Sequence, residues 1–314
     1  MMEWSRRSVL KAVPGLALDA AGMARSENQQ PVRWSAGTEL PKTKVSARAT
    51  DCHFHIYDAR FPADAKAVLH PPDATVADYR LLQKRLGTTR CVIIQPSTYG
   101  LDNRLLLEAL GQFGAAAARG IAVVHPEIQD AELKRMHAAG VRGIRFNLVQ
   151  AGATTLEMVD PLSKRVASLG WHIQVHASAD QIEAAKDVWN RASCLVVFDH
   201  LGHLPEPQGI RHPAFRVICA LLQKGRAWLK LSGFYMDTQV GPPSYADSVE
   251  VARAYVKEAP ERLVWGSDWP HPTVAENDKK PNDAILLDLL AVCVPETATR
   301  NRILVDNAAK LYGF

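Results

Sequence analysis

Short apolar or β-branched runs recur eight times along this 314-residue chain, near 49–56, 90–95, 120–124, 142–147, 171–176, 195–200, 228–232 and 262–268. Helix-like stretches separate them, near 76–87, 103–118, 130–139, 155–169, 180–192, 213–225, 246–259 and 282–292, and a further one closes the chain near 297–311. Runs such as Cys91-Val92-Ile93-Ile94 and Leu195-Val196-Val197-Phe198 are apolar throughout rather than alternating. That is how parallel strands covered on both faces read. Eight strand–helix units in roughly 265 residues match a (β/α)₈ barrel, typically ~250 residues long. A doubly wound open sheet is the alternative within the α/β class, and it calls for a glycine-rich phosphate turn after the first strand. Here that turn carries His and Tyr, so the chain is read as an α/β protein, a (β/α)₈ TIM barrel over 49–314.

Two segments precede the barrel. Ser5-Arg6-Arg7-Ser8-Val9-Leu10-Lys11, a weakly apolar stretch from Ala12 to Ala21, and the small residues of Gly22-Met23-Ala24 give 1–24 the pattern of a twin-arginine export signal. A functional signal implies the periplasm; an ordinary basic tail would leave the protein cytoplasmic. Residues 25–48, with Pro31 and Pro41, are expected to be linker. Five cysteines, odd in number and without a C-x-x-C pair, argue against a disulfide framework or zinc finger. The net charge of +4 is scattered, which disfavours nucleic acid as a partner. No apolar run reaches the ~20 residues of a membrane span.

A barrel enzyme gathers its chemistry at the C-terminal ends of its strands, and the polar residues of this sequence collect there. His53 and His55 end the first strand, and residues two apart on a strand face one way. Ser97 and Tyr99 follow the second strand, His176 ends the fifth, and Asp199 and His200 end the sixth, with His203 just beyond. Tyr235 follows the seventh and Asp268 the eighth, with His271 nearby. Asp268 is expected to be a general base, because Pro270 and Pro272 leave no helix for it to cap. On the fourth strand Arg145 and Asn147 share a face, so Arg145 offers a fork for a substrate carboxylate. Arg142 faces the other way and is expected in a salt bridge with a neighbouring helix; His172 is read as a hydrogen-bonded barrel histidine. No G-x-S-x-G elbow surrounds any serine, which disfavours a serine nucleophile.

Asp51-x-His53-x-His55, Gly143-Ile144-Arg145-Phe146-Asn147, Asp199-His200-x-Gly202, Leu231-Ser232-Gly233 and Trp265-Gly266-Ser267-Asp268-Trp269-Pro270-His271 together resemble the amidohydrolase superfamily, in its second large family. Gln95-Pro96-Ser97-x-Tyr99-Gly100 is similar to the branch of pyrone-dicarboxylate and sugar lactonases, which also holds a lactone isomerase. The resemblance implies a small-molecule lactone as substrate. In it His53, His55 and His176 polarise the carbonyl, Asp268 activates water, and Ser97, Tyr99, Arg145, Asn147, His200, His203 and Tyr235 hold the substrate. It implies no cofactor. A single zinc on His53, His55, His176 and Asp268 is the alternative, and with it a decarboxylase of aromatic acids. A binuclear centre is not implied, since strand four carries no lysine. The pattern departs at His203, where the pyrone branch leads one to expect an arginine. This favours a monocarboxylated or sugar-derived lactone over a dicarboxylate.

Overall fold

The computed structural model describes Met1 and residues 30–150 and 152–314, so the export-signal reading lies outside the described residues. Eight parallel strands form one sheet in chain order: β1 (Thr50–Phe54), β2 (Arg90–Ile94), β3 (Ala118–Ala122), β4 (Val141–Asn147), β5 (His172–His176), β6 (Val196–Phe198), β7 (Ala227–Leu231) and β8 (Leu263–Trp265). The sheet closes on itself just past β8. His55 N donates to Trp269 O at 2.8 Å, and Asp268 N donates to His53 O at 2.8 Å. Helices fill the connections: α1 (Val76–Leu86), α2 (Arg104–Phe113), α3 (Asp130–Ala138), α4 (Val159–Ala167), α5 (Ala179–Ala184), α6 (Lys186–Arg191), α7 (Pro213–Gln223), α8 (Ala246–Glu258) and α9 (Asp283–Cys293). The last helical run, Thr297–Tyr312, includes one π-helical stretch. The fold is a (β/α)₈ TIM barrel, as the alternation of runs predicts.

Local chemistry starts the helices where the sequence allows. Thr75 and Asp78 form a reciprocal capping box before α1, and Ser178 and Gln181 form another before α5. Inside the barrel, Cys52, Val92, Ile121, Val197, Trp228 and Val264 make a small apolar floor on which Ala308, Leu311 and Tyr312 of the C-terminal helix pack. Polar residues take over toward the C-terminal mouth.

Residues 30–48, expected as linker, are seated on the barrel wall. The Arg85 guanidinium donates to Ser35 Oγ, Ala36 O and Glu39 O, and Trp269 Nε1 donates to Arg33 O at 2.8 Å. The segment is polar in composition, but its backbone carbonyls serve as acceptors for buried donors, a role that composition does not reveal. Arg142 also differs from expectation. Its guanidinium donates to His137 O and Val141 O, so it caps the end of α3 rather than pairing with a carboxylate.

Candidate active site

The site is built in two layers above the apolar floor. The lower layer holds His53, Gln174, Asp199 and Lys230, all fully buried. Lys230 Nζ donates to Gln174 Oε1 at 2.7 Å and reaches His53 Nδ1 at 3.2 Å and Asp199 Oδ1 at 3.4 Å. Burial pushes the Lys230 ammonium below its usual range. Burial raises Asp199, but Lys230, His200 and Arg145 outweigh it and hold the carboxyl below the ordinary range. Sequence reasoning missed Lys230 and Gln174. The available signal was a lysine inside the apolar run Ala227-Trp228-Leu229-Lys230-Leu231, where a charge has no place unless partners await it.

The upper layer surrounds a small inner cavity of about 30 Å³ whose walls include His55, Arg145, His176, His200 and Asp268. Asp268 lies at φ 64°, in the left-handed region, and this turns its carboxylate into the barrel. Its Oδ2 accepts a 2.6 Å hydrogen bond from Tyr235 OH. Among the described residues its Oδ1 has no hydrogen-bond partner, although His53 Nε2, His55 Nε2 and His200 Nε2 stand 3.4, 3.6 and 3.8 Å away. Burial holds the imidazoles of His53, His176 and His200 well below the usual histidine range. A second carboxylate, Asp51, fixes the seam behind the site. It accepts from Ser267 Oγ at 2.6 Å, Tyr79 OH at 2.9 Å and Ser267 N at 2.9 Å, and burial holds it at about 6.

Other predicted residues fall in several places. His200 Nδ1 meets Ser232 Oγ at 3.0 Å. Ser97 Oγ donates to Gln150 Oε1 at 3.2 Å, and the two residues stand between the inner cavity and an outer cleft of about 340 Å³. Asn147 borders the inner cavity while its Oδ1 accepts from Val149 N and Gln150 N. Tyr99 is turned away, its hydroxyl held by the backbone of Asp58, and Tyr57 occupies the cavity wall instead. His203 is drawn behind the wall. Its Nε2 lies 3.1 Å from His176 Nδ1 and its Nδ1 lies 3.0 Å from Asp237 Oδ2, so both nitrogens are engaged by protein. His172 is buried as expected but its Nε2 has no hydrogen-bond partner, so burial, not bonding, keeps it neutral, with a pKa of about 3. His271 Nε2 faces Asp283 Oδ2 at 3.2 Å, away from Asp268.

His53 Nε2, His55 Nε2 and Asp268 Oδ1 are mutually 3.3, 3.4 and 3.6 Å apart. A tetrahedral zinc with bonds of ~2.1 Å separates its ligand atoms by about the same amount, ~3.4 Å. His176 does not join this trio; it groups with His200 and His203. Spacing alone would admit an ion, but the donor set does not fit one. A ligand histidine hands its other ring hydrogen to an acceptor. His55 does so, with Nδ1 2.8 Å from Ile94 O, whereas His53 meets the ammonium of Lys230.

The fold and the site define a (β/α)₈-barrel hydrolase. The chain belongs to the amidohydrolase family, whose model, described as "Amidohydrolase", matches residues 50–314. It is 33% identical to a 2-pyrone-4,6-dicarboxylate hydrolase of Comamonas testosteroni over 89% of this chain and 94% of that one. It is 34% identical to a 4-sulfomuconolactone hydrolase of Rhizobium radiobacter, over 84% of this chain and 90% of that one. Among solved structures, an apo protein of Agrobacterium tumefaciens superposes with a TM-score of 0.83 at 28% identity, covering 90% of this chain and 99% of its own.

Proposed function

We propose that this protein hydrolyses a lactone bearing a single carboxylate, or a sugar-derived lactone, without a metal ion. The observation that carries this reading is Asp268 Oδ1. It is a buried carboxylate oxygen with no hydrogen-bond partner among the described residues, set beside a cavity walled by imidazoles. An acceptor in that state is suited to take a proton from water. Water held there attacks the ring carbonyl. The developing oxyanion meets His176 and His200, the cavity histidines whose Nε2 atoms no other described residue engages by a hydrogen bond. Asp268 then returns the proton to the leaving ring oxygen. Tyr235 holds Oδ2 and so aims Oδ1.

Among the described residues, Arg145 is the one guanidinium in the cavity wall. With His203 committed to His176 and Asp237, the site offers a fork for one carboxylate rather than two. The inner cavity has room for no more than a few waters. A lactone therefore enters by parting Ser97 from Gln150 and joining the inner cavity to the outer cleft. The names of the two hydrolytic relatives, a 2-pyrone-4,6-dicarboxylate hydrolase and a 4-sulfomuconolactone hydrolase, support lactone opening.

A panel of carboxylated, sugar-derived and uncharged lactones turned over in ¹⁸O-labelled water tests the reading. Ring opening with one solvent oxygen in the new carboxylate is expected. Rearranged lactone without solvent oxygen would instead make the protein an isomerase, and no turnover across the panel would overturn the reading.

A further inference from the structure

We propose that Lys230 keeps zinc out of the His53–His55–Asp268 trio by fixing which ring nitrogen of His53 carries the hydrogen. The argument follows a line of four groups. Lys230 Nζ lies 3.2 Å from His53 Nδ1, His53 Nε2 lies 3.3 Å from His55 Nε2, and His55 Nδ1 lies 2.8 Å from Ile94 O. Each end of the line has only one polarity. An ammonium only donates, and a carbonyl oxygen only accepts. A neutral imidazole carries one ring hydrogen and one ring lone pair. From the lysine end, His53 Nδ1 must accept, so His53 Nε2 bears the hydrogen. From the carbonyl end, His55 Nδ1 must donate, so His55 Nε2 bears the lone pair. The two assignments, made independently, meet as a correct His53 Nε2–H to His55 Nε2 hydrogen bond. A zinc ion needs a lone pair from both Nε2 atoms, and the line leaves only one.

The surroundings support lysine as the donor. It hydrogen-bonds to two buried acceptors, Gln174 Oε1 at 2.7 Å and His53 Nδ1 at 3.2 Å, and forms an ion pair with the buried Asp199 Oδ1 at 3.4 Å. Asp199 Oδ1 also lies 3.3 Å from His53 Nδ1 but makes no hydrogen bond there. If the ammonium is removed, Asp199 becomes the acceptor for a His53 Nδ1 hydrogen. That reverses the tautomer, freeing His53 Nε2 beside His55 Nε2 and Asp268 Oδ1 at the spacing of a zinc site. Lys230 is thus a positioning residue that acts through His53. The inference rests on the metal-free part of the proposed function and not on the identity of the substrate.

The test compares the wild-type protein with Lys230→Met after equilibration with zinc chloride and removal of excess. Metal content is read by elemental analysis and affinity by calorimetry. The wild type is expected to hold no stoichiometric zinc, and Lys230→Met to gain one zinc per chain with affinity raised about 10- to 100-fold, the range over which such supporting partners act. One tightly bound zinc in the wild type, or unchanged weak binding by a folded Lys230→Met protein, overturns the proposal. ¹⁵N–¹H spectra of the wild-type ring nitrogens, with His53 assigned through His53→Gln, provide a second readout that does not depend on Lys230→Met folding. Hydrogen on His53 Nε2 is expected; hydrogen on Nδ1 overturns the proposal. No lactone enters either measurement, so inactivity on every lactone alongside the expected tautomer would remove the functional reading and leave this one standing.

Discussion

Under the proposed function, Arg145 selects the substrate. Its guanidinium is buried in the cavity wall, with Nη1 donating to Gln95 O at 3.3 Å and Nε facing Asp199 Oδ2 at 3.9 Å without a hydrogen bond among the described residues. A substrate carboxylate would complete its bonding. Replacing Arg145 with alanine is expected to raise KM for carboxylated lactones by about 10- to 100-fold, the worth of ~1.5–3 kcal/mol for a charge-assisted hydrogen bond. KM for an uncharged lactone should change little in a side-by-side steady-state assay; equal losses on both would remove the assigned role. At this scale the sequence was legible where a motif and strand parity coincide. His55, Asp268 and the inward Arg145 could all be placed that way. Tyr99, His203 and Lys230 could not, because each is decided by a partner far away in the chain. The Asp58 backbone turns Tyr99 aside, Asp237 and His176 hold His203, and His53 and Gln174 hold Lys230.

Strands carry these residues into register, and their order was readable because each buried strand is a short apolar run bounded by a helix. The readable boundaries stop at the seam between β1 and β8. There the backbone after β8 pairs with β1, and Gly266 is pressed against it. A Cβ added to Gly266 would stand 2.6 Å from His53 Cβ. This position requires glycine for close approach, which a one-dimensional pattern cannot show. Asp51 ties the same seam through Tyr79 and Ser267, so the first residue of the Asp51-x-His53-x-His55 motif serves architecture while the last lines the cavity. The π-helical stretch within the closing helix was likewise not legible, since its apolar spacing reads as one continuous helix.

For the whole molecule, burying so many neutral imidazoles links stability to pH. His53, His172, His176 and His200 are all depressed by burial, His172 to about 3. Below about pH 6.5 the unfolded chain takes up protons at these residues and the folded protein does not, so stability is full above that pH and is lost as pH falls. Each such histidine adds a slope approaching ~1.4 kcal/mol per pH unit. Asp51, raised to about 6 by burial, and Glu206, also raised by burial, act in the opposite sense at lower pH, two carboxyls against the four buried imidazoles. Urea unfolding across pH 7.5 to 5 should therefore show a steady fall in unfolding free energy; a flat or rising profile would contradict buried neutral histidines. All of this organisation converges on one oxygen, Asp268 Oδ1. The most direct measurement is the turnover of Asp268→Asn on the best lactone of the panel, with folding checked by circular dichroism. Asparagine keeps the size of the side chain and a partner for Tyr235 but cannot accept the proton. A fall in kcat of about a thousandfold is predicted, whereas turnover within a few-fold of wild type would contradict Asp268 as the base.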